Sequence, residues 1–299
     1  MFPQQPHANN LMFAEIDTRI PHEVEKQVHR IHHEMFPAGD RVFVMRAFDW
    51  ASACFNGRYA DYQPIDARYH DFEHTLQGTL CLARLLHGRH QAGVEPRLDR
   101  HRFELAMLAI LFHDTGYLKK RDDPEGTGAK FTVIHVARSA DFARELLAKQ
   151  GYSETDQRGV ANMISCTGVN ADLLSIPFQT ELERMLGYAL ATADILGQMA
   201  AADYVEKLPI LFAEFVEAAR WGGERAARFA RYRTAEDLAR RTPRFWQEYV
   251  QPKINNDFLG LYQFLNTPYP GGPNPYVQKI LENLTRIERL YGPTRDGDV

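Results

Sequence analysis

Four short stretches of the chain carry residues suited to metal chemistry. Tyr69-His70-Asp71-Phe72-Glu73-His74 sets two histidines four positions apart, which places them on one helical face about 40° apart. An apolar stripe of Phe72, Leu76, Leu80, Ala83 and Leu86 runs down the other side of that helix. The histidines' own side continues with Gln77, Cys81 and Leu85, so the helix has two inward faces, one of them polar at its start. Leu111-Phe112-His113-Asp114-Thr115-Gly116 places adjacent histidine and aspartate at the end of Phe103 to Phe112, where Glu104 is the one polar residue. A helix apolar all round is buried, and a buried aspartate is costly unless it is paired or metal-bound. Asp194 stands in the apolar stretch Gly187 to Leu196, and its nearest arginine in sequence, Arg184, is ten positions away. A metal ion fits beside it at least as well as an arginine does. His135 follows the polar loop from Asp122 to Gly128. The plainer alternative is a set of surface histidines and a solvent-facing His-Asp pair, which the nine apolar residues before His113 oppose.

His74, His113, Asp114 and Asp194 together suit one or two divalent ions such as Mg, Mn, Zn, Fe or Ni. The set has no cysteine, unlike a structural zinc site. Coordination positions left to water suit hydrolysis.

The elements that must position these residues are helices. Apolar periodicity predicts them at about 21–35, 41–56, 69–90, 100–114, 131–150, 154–166, 178–203, 206–221, 223–240, 242–266 and 275–291. The alternation Arg41 to Phe48 reads as a strand or as the start of a helix. Pro37-Ala38-Gly39-Asp40, the loop at 122–128 and Pro268 to Pro275 punctuate the series. With no repeat or low-complexity linker, the expectation is all-α, a single domain over 1–299.

Composition excludes several classes. Of 299 residues, 35 are Lys or Arg and 39 Asp or Glu, a formal charge of −4, which gives no electrostatic case for nucleic-acid binding. No apolar run approaches the ~20 residues of a membrane span. The N-terminus lacks the pattern of a signal peptide. Cys54, Cys81 and Cys166 lie far apart and form no disulfide framework, so a cytoplasmic location is expected.

The order H…HD…D on successive helices resembles the HD-domain metal-dependent phosphohydrolase superfamily, over about residues 65–205. The resemblance implies an HD-domain helical bundle wrapped by additional terminal helices at 20–60 and 206–291. It implies that His74, His113, Asp114 and Asp194 bind the first metal, and that Asp114 bridges to a second when one is present. Within the superfamily, Y-H-x-x-x-H before the HD pair resembles class I cyclic-nucleotide phosphodiesterases. That likeness implies a general acid at His70, a ligand at His74, and hydrolysis of 3′,5′-cyclic nucleotides to nucleoside monophosphates. Two departures stand out: Asp71 where the motif has asparagine, and Thr115-Gly116-Tyr117 after the HD pair. The cyclic-di-GMP branch is disfavoured, since its G-Y-P signature and paired downstream histidines are missing.

Other residues carry narrower expectations. His135 either ligates a second metal or is structural. Lys130, at the end of the Gly-rich loop Glu125 to Lys130, either contacts a substrate phosphate or belongs to a plain connector. Gln247 and Gln263, flanked by aromatics, are candidates for the purine clamp and equally for packing. The N-terminal histidines His7, His22, His29, His32 and His33 read as surface or packing groups. The expected partner is a small-molecule nucleotide or phosphate ester. Aromatic residues at 245–264 form either a homodimer surface or a closing face of the bundle. Three functional alternatives stand beside the first: hydrolysis of other nucleotide phosphates, a di-iron oxygenase, and a non-catalytic nucleotide sensor.

Overall fold

A computed structural model describes residues 13–292 apart from 14, 41, 170 and 228. His7 and the N-terminal stretch judged for a signal peptide lie outside the described residues. The described residues form ten α-helices: α1 Pro21–Met35, α2 Phe43–Phe55, α3 Phe72–Ala92, α4 Arg100–Phe112, α5 His135–Lys149, α6 Glu154–Ile164, α7 Glu181–Met199, α8 Tyr204–Trp221, α9 Ala235–Phe245 and α10 Pro275–Tyr291. The described residues contain no strand, only two isolated bridges, Asn56 with Pro64 and Tyr62 with Lys120. Of the alternation beginning at Arg41, Phe43 to Phe48 lie in helix α2. No described helix is long and apolar enough to cross a membrane.

Local chemistry sets where the helices start. The side chains of Asp71, Asp99, Ser153, Thr180, Thr234 and Asn274 each accept a backbone N–H in the first turn of α3, α4, α6, α7, α9 and α10. These oxygens satisfy N–H groups that a helix start leaves unpaired, each by about 1 kcal/mol. Capping also explains why α3 begins at Phe72 and not at Tyr69.

α3 and α4 are buried along most of their lengths. α3 packs along α7, against α1 on one side and α4 on another, while α6 joins α4, α5 and α7. One continuous apolar core runs from Val24 in α1 to Ile287 in α10. A separate small cluster, Ala218, Ala226 and Phe229, sits under the end of α8. α3 and α7 cross in backbone contact at Gly78 and Gly197. A Cβ at Gly197 would lie 2.8 Å from the Gln77 carbonyl and the Gly78 nitrogen.

Two long helices expected near the C-terminus are broken. The 223–240 prediction resolves into short turns at Gly223–Ala226 and Phe229–Arg231, then α9. Gly223 has φ +54°, a left-handed conformation that ends a helix after Gly222. The 242–266 prediction loosens into π-turns at Trp246–Val250 and Lys253–Asp257 and stops at Leu259 and Gly260, both of positive φ. Pro252 has no N–H for the helical ladder, and its ring crowds the preceding turn, which favours the wider register. α7 ends at Met199 where the Asn283 amide donates to the Met199 and Ala201 carbonyls, each at 2.9 Å.

Candidate metal centre

His74 lies in the first turn of α3, His113 and Asp114 follow the last residue of α4, and Asp194 faces them from α7. The Gly78–Gly197 crossing lies one turn beyond His74 and Asp194, so it sets how closely their backbones approach. The four side chains are buried and make a closed circuit of contacts. His74 Nε2 is 3.2 Å from Asp114 Oδ2 and 3.2 Å from Asp194 Oδ1. His113 Nε2 is 3.4 Å from each of the same two oxygens. Such separations are those of donors sharing one ion through bonds of about 2.0–2.3 Å. His74, His113 and Asp114 each offer a ligand atom within 4.8 Å of the others. His113 Nε2 and Asp114 Oδ2 are buried without a hydrogen-bond partner. A cation held between these atoms satisfies both, so the residues present fit a divalent ion.

The far side of His113 is arranged as ligation requires. His113 Nδ1 donates to the Ile110 carbonyl at 2.7 Å. A carbonyl only accepts, so Nδ1 carries a proton and Nε2 is the nitrogen turned to the carboxylates and left to ligate. His135 repeats the device, with Nδ1 donating to the Thr132 carbonyl at 2.7 Å. Its Nε2 lies 3.9 Å from Asp114 Oδ1, the oxygen on the other side of that carboxylate. Gly116 makes this approach possible, because a Cβ there would sit 2.0 Å from the His135 carbonyl oxygen.

Charge is balanced by proximity. Burial disfavours the His74 imidazolium, but Asp114 and Asp194 outweigh burial and raise its pKa to about 10. Burial likewise works against the two carboxylates, and the imidazoles of His113 and His74 hold both well below the usual range. His135 goes the other way: burial dominates and lowers its pKa to about 4, leaving a neutral ring with a free lone pair at neutral pH.

Beside the centre, His70 Nδ1 is 2.6 Å from Glu214 Oε2, and the other oxygen, Oε1, accepts the Tyr69 backbone N–H at 2.7 Å. The Tyr117 ring lies against both His70 and His135. Gln198 accepts from the Tyr69 hydroxyl at 2.8 Å and donates to Asp194 Oδ1 at 3.4 Å. Asp71, at the asparagine position of the motif, accepts the His74 backbone N–H at 2.8 Å. Either residue caps a helix well, so that departure leaves the placement of His74 intact.

The family model described as Npun_R2479-like matches residues 121–288, a little over half the chain. The chain belongs to the Npun_R2479-like family. No curated protein matches it. In this Npun_R2479-like chain the matched segment takes in His135, Asp194 and Glu214, while His70, His74, His113 and Asp114 precede it.

The structure thus brings His70, His74, His113, Asp114, His135 and Asp194 to one place. It sets Lys130 apart. The Lys130 ammonium lies 2.5 Å from Asp123 Oδ1 and donates to the Glu125 carbonyl at 2.6 Å, so it ties its own loop together. Thr127 is held in turn by Glu217 from α8, and Lys119 bridges Asp66 and the Gly126 carbonyl. Gln247 and Gln263 are exposed. The Phe264 carbonyl beside Gln263 abuts Gly88, at the end of α3 remote from His74.

Sequence reasoning missed Glu214. Its signal was present: a lone carboxylate in the apolar run Ile210-Leu211-Phe212-Ala213-Glu214-Phe215-Val216, the pattern that marked Asp194. Tyr117 and Gln198 had no comparable signal, because an aromatic or an amide in a buried element is ordinary.

Proposed function

We propose that this protein is a metal-dependent phosphohydrolase, with 3′,5′-cyclic phosphodiesters of nucleotides as the first substrate class to test. The observation that carries the proposal is the pairing of the four-donor circuit with His70, which just precedes the Asp71 cap of α3 and is tethered by Glu214. His74, His113, Asp114 and Asp194 would hold the ion. Bound there, a divalent ion supplies an activated water and neutralises charge on phosphate oxygens. Glu214 occupies His70 Nδ1, so Nε2 is the nitrogen left to give a proton to a departing alkoxide. Burial keeps bulk water away from the carboxylates and strengthens their hold on a cation. Asp114 turns its second oxygen toward His135, so these two residues would hold a second ion if one binds.

The test is a hydrolysis panel on the protein reconstituted with Mn, Mg, Zn, Fe or Ni. It compares cyclic nucleotides, nucleoside mono- and triphosphates and bis-p-nitrophenyl phosphate. Turnover that disappears in Asp114→Ala and falls in His70→Ala supports the reading. Turnover and metal content that survive Asp114→Ala overturn it. His135 facing Asp114 also supports a second reading, a di-iron oxygenase. Iron-dependent oxygen uptake without phosphate release would select it.

A further inference from the structure

Two histidines beside the metal centre share one neighbour. The Tyr117 ring lies 4.4 Å from the His70 ring with planes 16° apart, and 4.6 Å from the His135 ring with planes 23° apart. The two imidazoles are themselves 6.1 Å apart. Tyr117 is fully buried and closes the single turn Thr115–Tyr117 that leaves Asp114. That turn is pinned along its backbone. Gly116 N–H donates to Ser139 Oγ at 2.8 Å, and the Arg138 guanidinium donates to the Gly116 and Leu118 carbonyls at 2.7 and 2.9 Å. Gly128 packs on the Tyr117 carbonyl, where a Cβ would approach to 2.2 Å. The phenol ring is therefore fixed relative to the Asp114 carboxylate three residues earlier.

A hydrogen bond at Nδ1 fixes one atom of an imidazole. What lies flat against its face fixes the plane. His70 has its Nδ1 bond to Glu214 and His135 has its own to the Thr132 carbonyl, and the two rings lean on the same phenol. We propose that Tyr117 is a positioning residue shared by His70 and His135, one aromatic face setting both ring planes relative to Asp114. The face is what the role requires, so phenylalanine serves as well as tyrosine, and an aliphatic side chain does not. The catalytic meaning of this placement rests on the phosphohydrolase reading, while the placement itself is measurable without it.

Imidazole N–H protons held in hydrogen bonds exchange slowly with water, and proton NMR of the 15N-histidine-labelled full-length protein in zinc resolves them. The signals of interest are those of His70, His135 and His113, assigned with the His70→Gln and His135→Gln proteins. The His113 proton, bonded to the Ile110 carbonyl, is the internal control for an intact centre. Tyr117→Phe is expected to keep all three signals. Tyr117→Leu is expected to keep His113 while exchange at His70 and His135 speeds up at least about tenfold. An unchanged His70 or His135 signal in Tyr117→Leu overturns the proposal. If Tyr117→Leu also loses the His113 signal, Tyr117→Met decides: faster exchange at His70 and His135 with the His113 signal kept supports the proposal, and unchanged exchange at either of the two overturns it.

Turnover of a 3′,5′-cyclic nucleotide, whose leaving group is an alkoxide, by Tyr117→Leu should show kcat lower by about 10- to 100-fold with KM little changed. A wild-type protein that hydrolyses nothing defeats the phosphohydrolase reading and leaves the exchange data to judge Tyr117.

Discussion

Glu214 Oε2 lies 2.6 Å from His70 Nδ1 across 144 residues of chain, so α8 supplies a carboxylate to a histidine that the α3 motif presents. Burial works against the Glu214 charge, but His70 and the neighbouring N–H groups hold its pKa below the usual carboxylate value. Glu214→Gln keeps the shape and removes the charge. The expected outcome is unchanged metal affinity and a kcat lower by about 10- to 100-fold on substrates with alkoxide leaving groups. The loss should shrink with p-nitrophenolate, which needs no proton. An equal loss on both leaving groups would remove His70 from the acid role.

Metal binding should couple to folding through Asp114. An ion that binds the folded chain and not the unfolded one stabilises by mass action, about 2.7 kcal/mol at a hundredfold excess over Kd. The wild-type melting temperature should therefore rise on addition of Mn or Zn. Asp114→Ala and Asp194→Asn should lose that rise and at least about 100-fold in affinity, measured by calorimetric titration. His135→Ala should keep the tight first ion.

Affinity for the ion should depend on pH in one direction. His74 has a pKa raised to about 10 in the metal-free protein, and His113 is raised as well. An ion must displace the His74 proton at every pH below that value. The carboxylates, held low, stay ionised and release none. Affinity should rise about tenfold per pH unit across roughly pH 7 to 9 and flatten toward pH 10. A proton-release measurement in two buffers of different ionisation enthalpy checks this, and affinity that is flat over that range would contradict the arrangement.

Gly197→Ala places a Cβ against the α3 backbone, 2.8 Å from atoms that cannot swing aside. The two helices must part, at a cost of about 1–3 kcal/mol. His74 and Asp194 ride on those helices, so ion affinity should fall with stability. Gly271→Ala, where a Cβ meets nothing within 4 Å, should change neither. Denaturant midpoints and metal titrations of the two variants give the comparison.

Much of this site was legible before any coordinates. The apolar runs around Asp114 and Asp194 announce that these acids are buried, whereas the helical face expected to carry both His70 and His74 does not form: Asp71 caps α3, so His70 precedes the helix and is held beside the centre by Glu214. Helix starts were legible to within a few residues, and capping by Asp71 and Thr180 accounts for the difference. The C-terminal third was misread. Apolar periodicity persists through 242–266, whereas the backbone widens into π-turns on either side of Pro252 and breaks off at Leu259 and Gly260.

The sequence by itself determined which residues are costly to bury and which share a helical face, since both follow from local chemistry and period. Tertiary structure alone decided which of them meet. Gly78 and Gly197 bring α3 to α7 and so join His74 to Asp194. Gly116 lets α5 close on the turn after Asp114 and so admits His135. α8 folds back to set Glu214 on His70 and Glu217 on Thr127, and Lys130, free on paper, turns to Asp123. Contacts between residues far apart in sequence depend on how whole helices pack, and packing is set by the summed shape of the core, which no short motif carries.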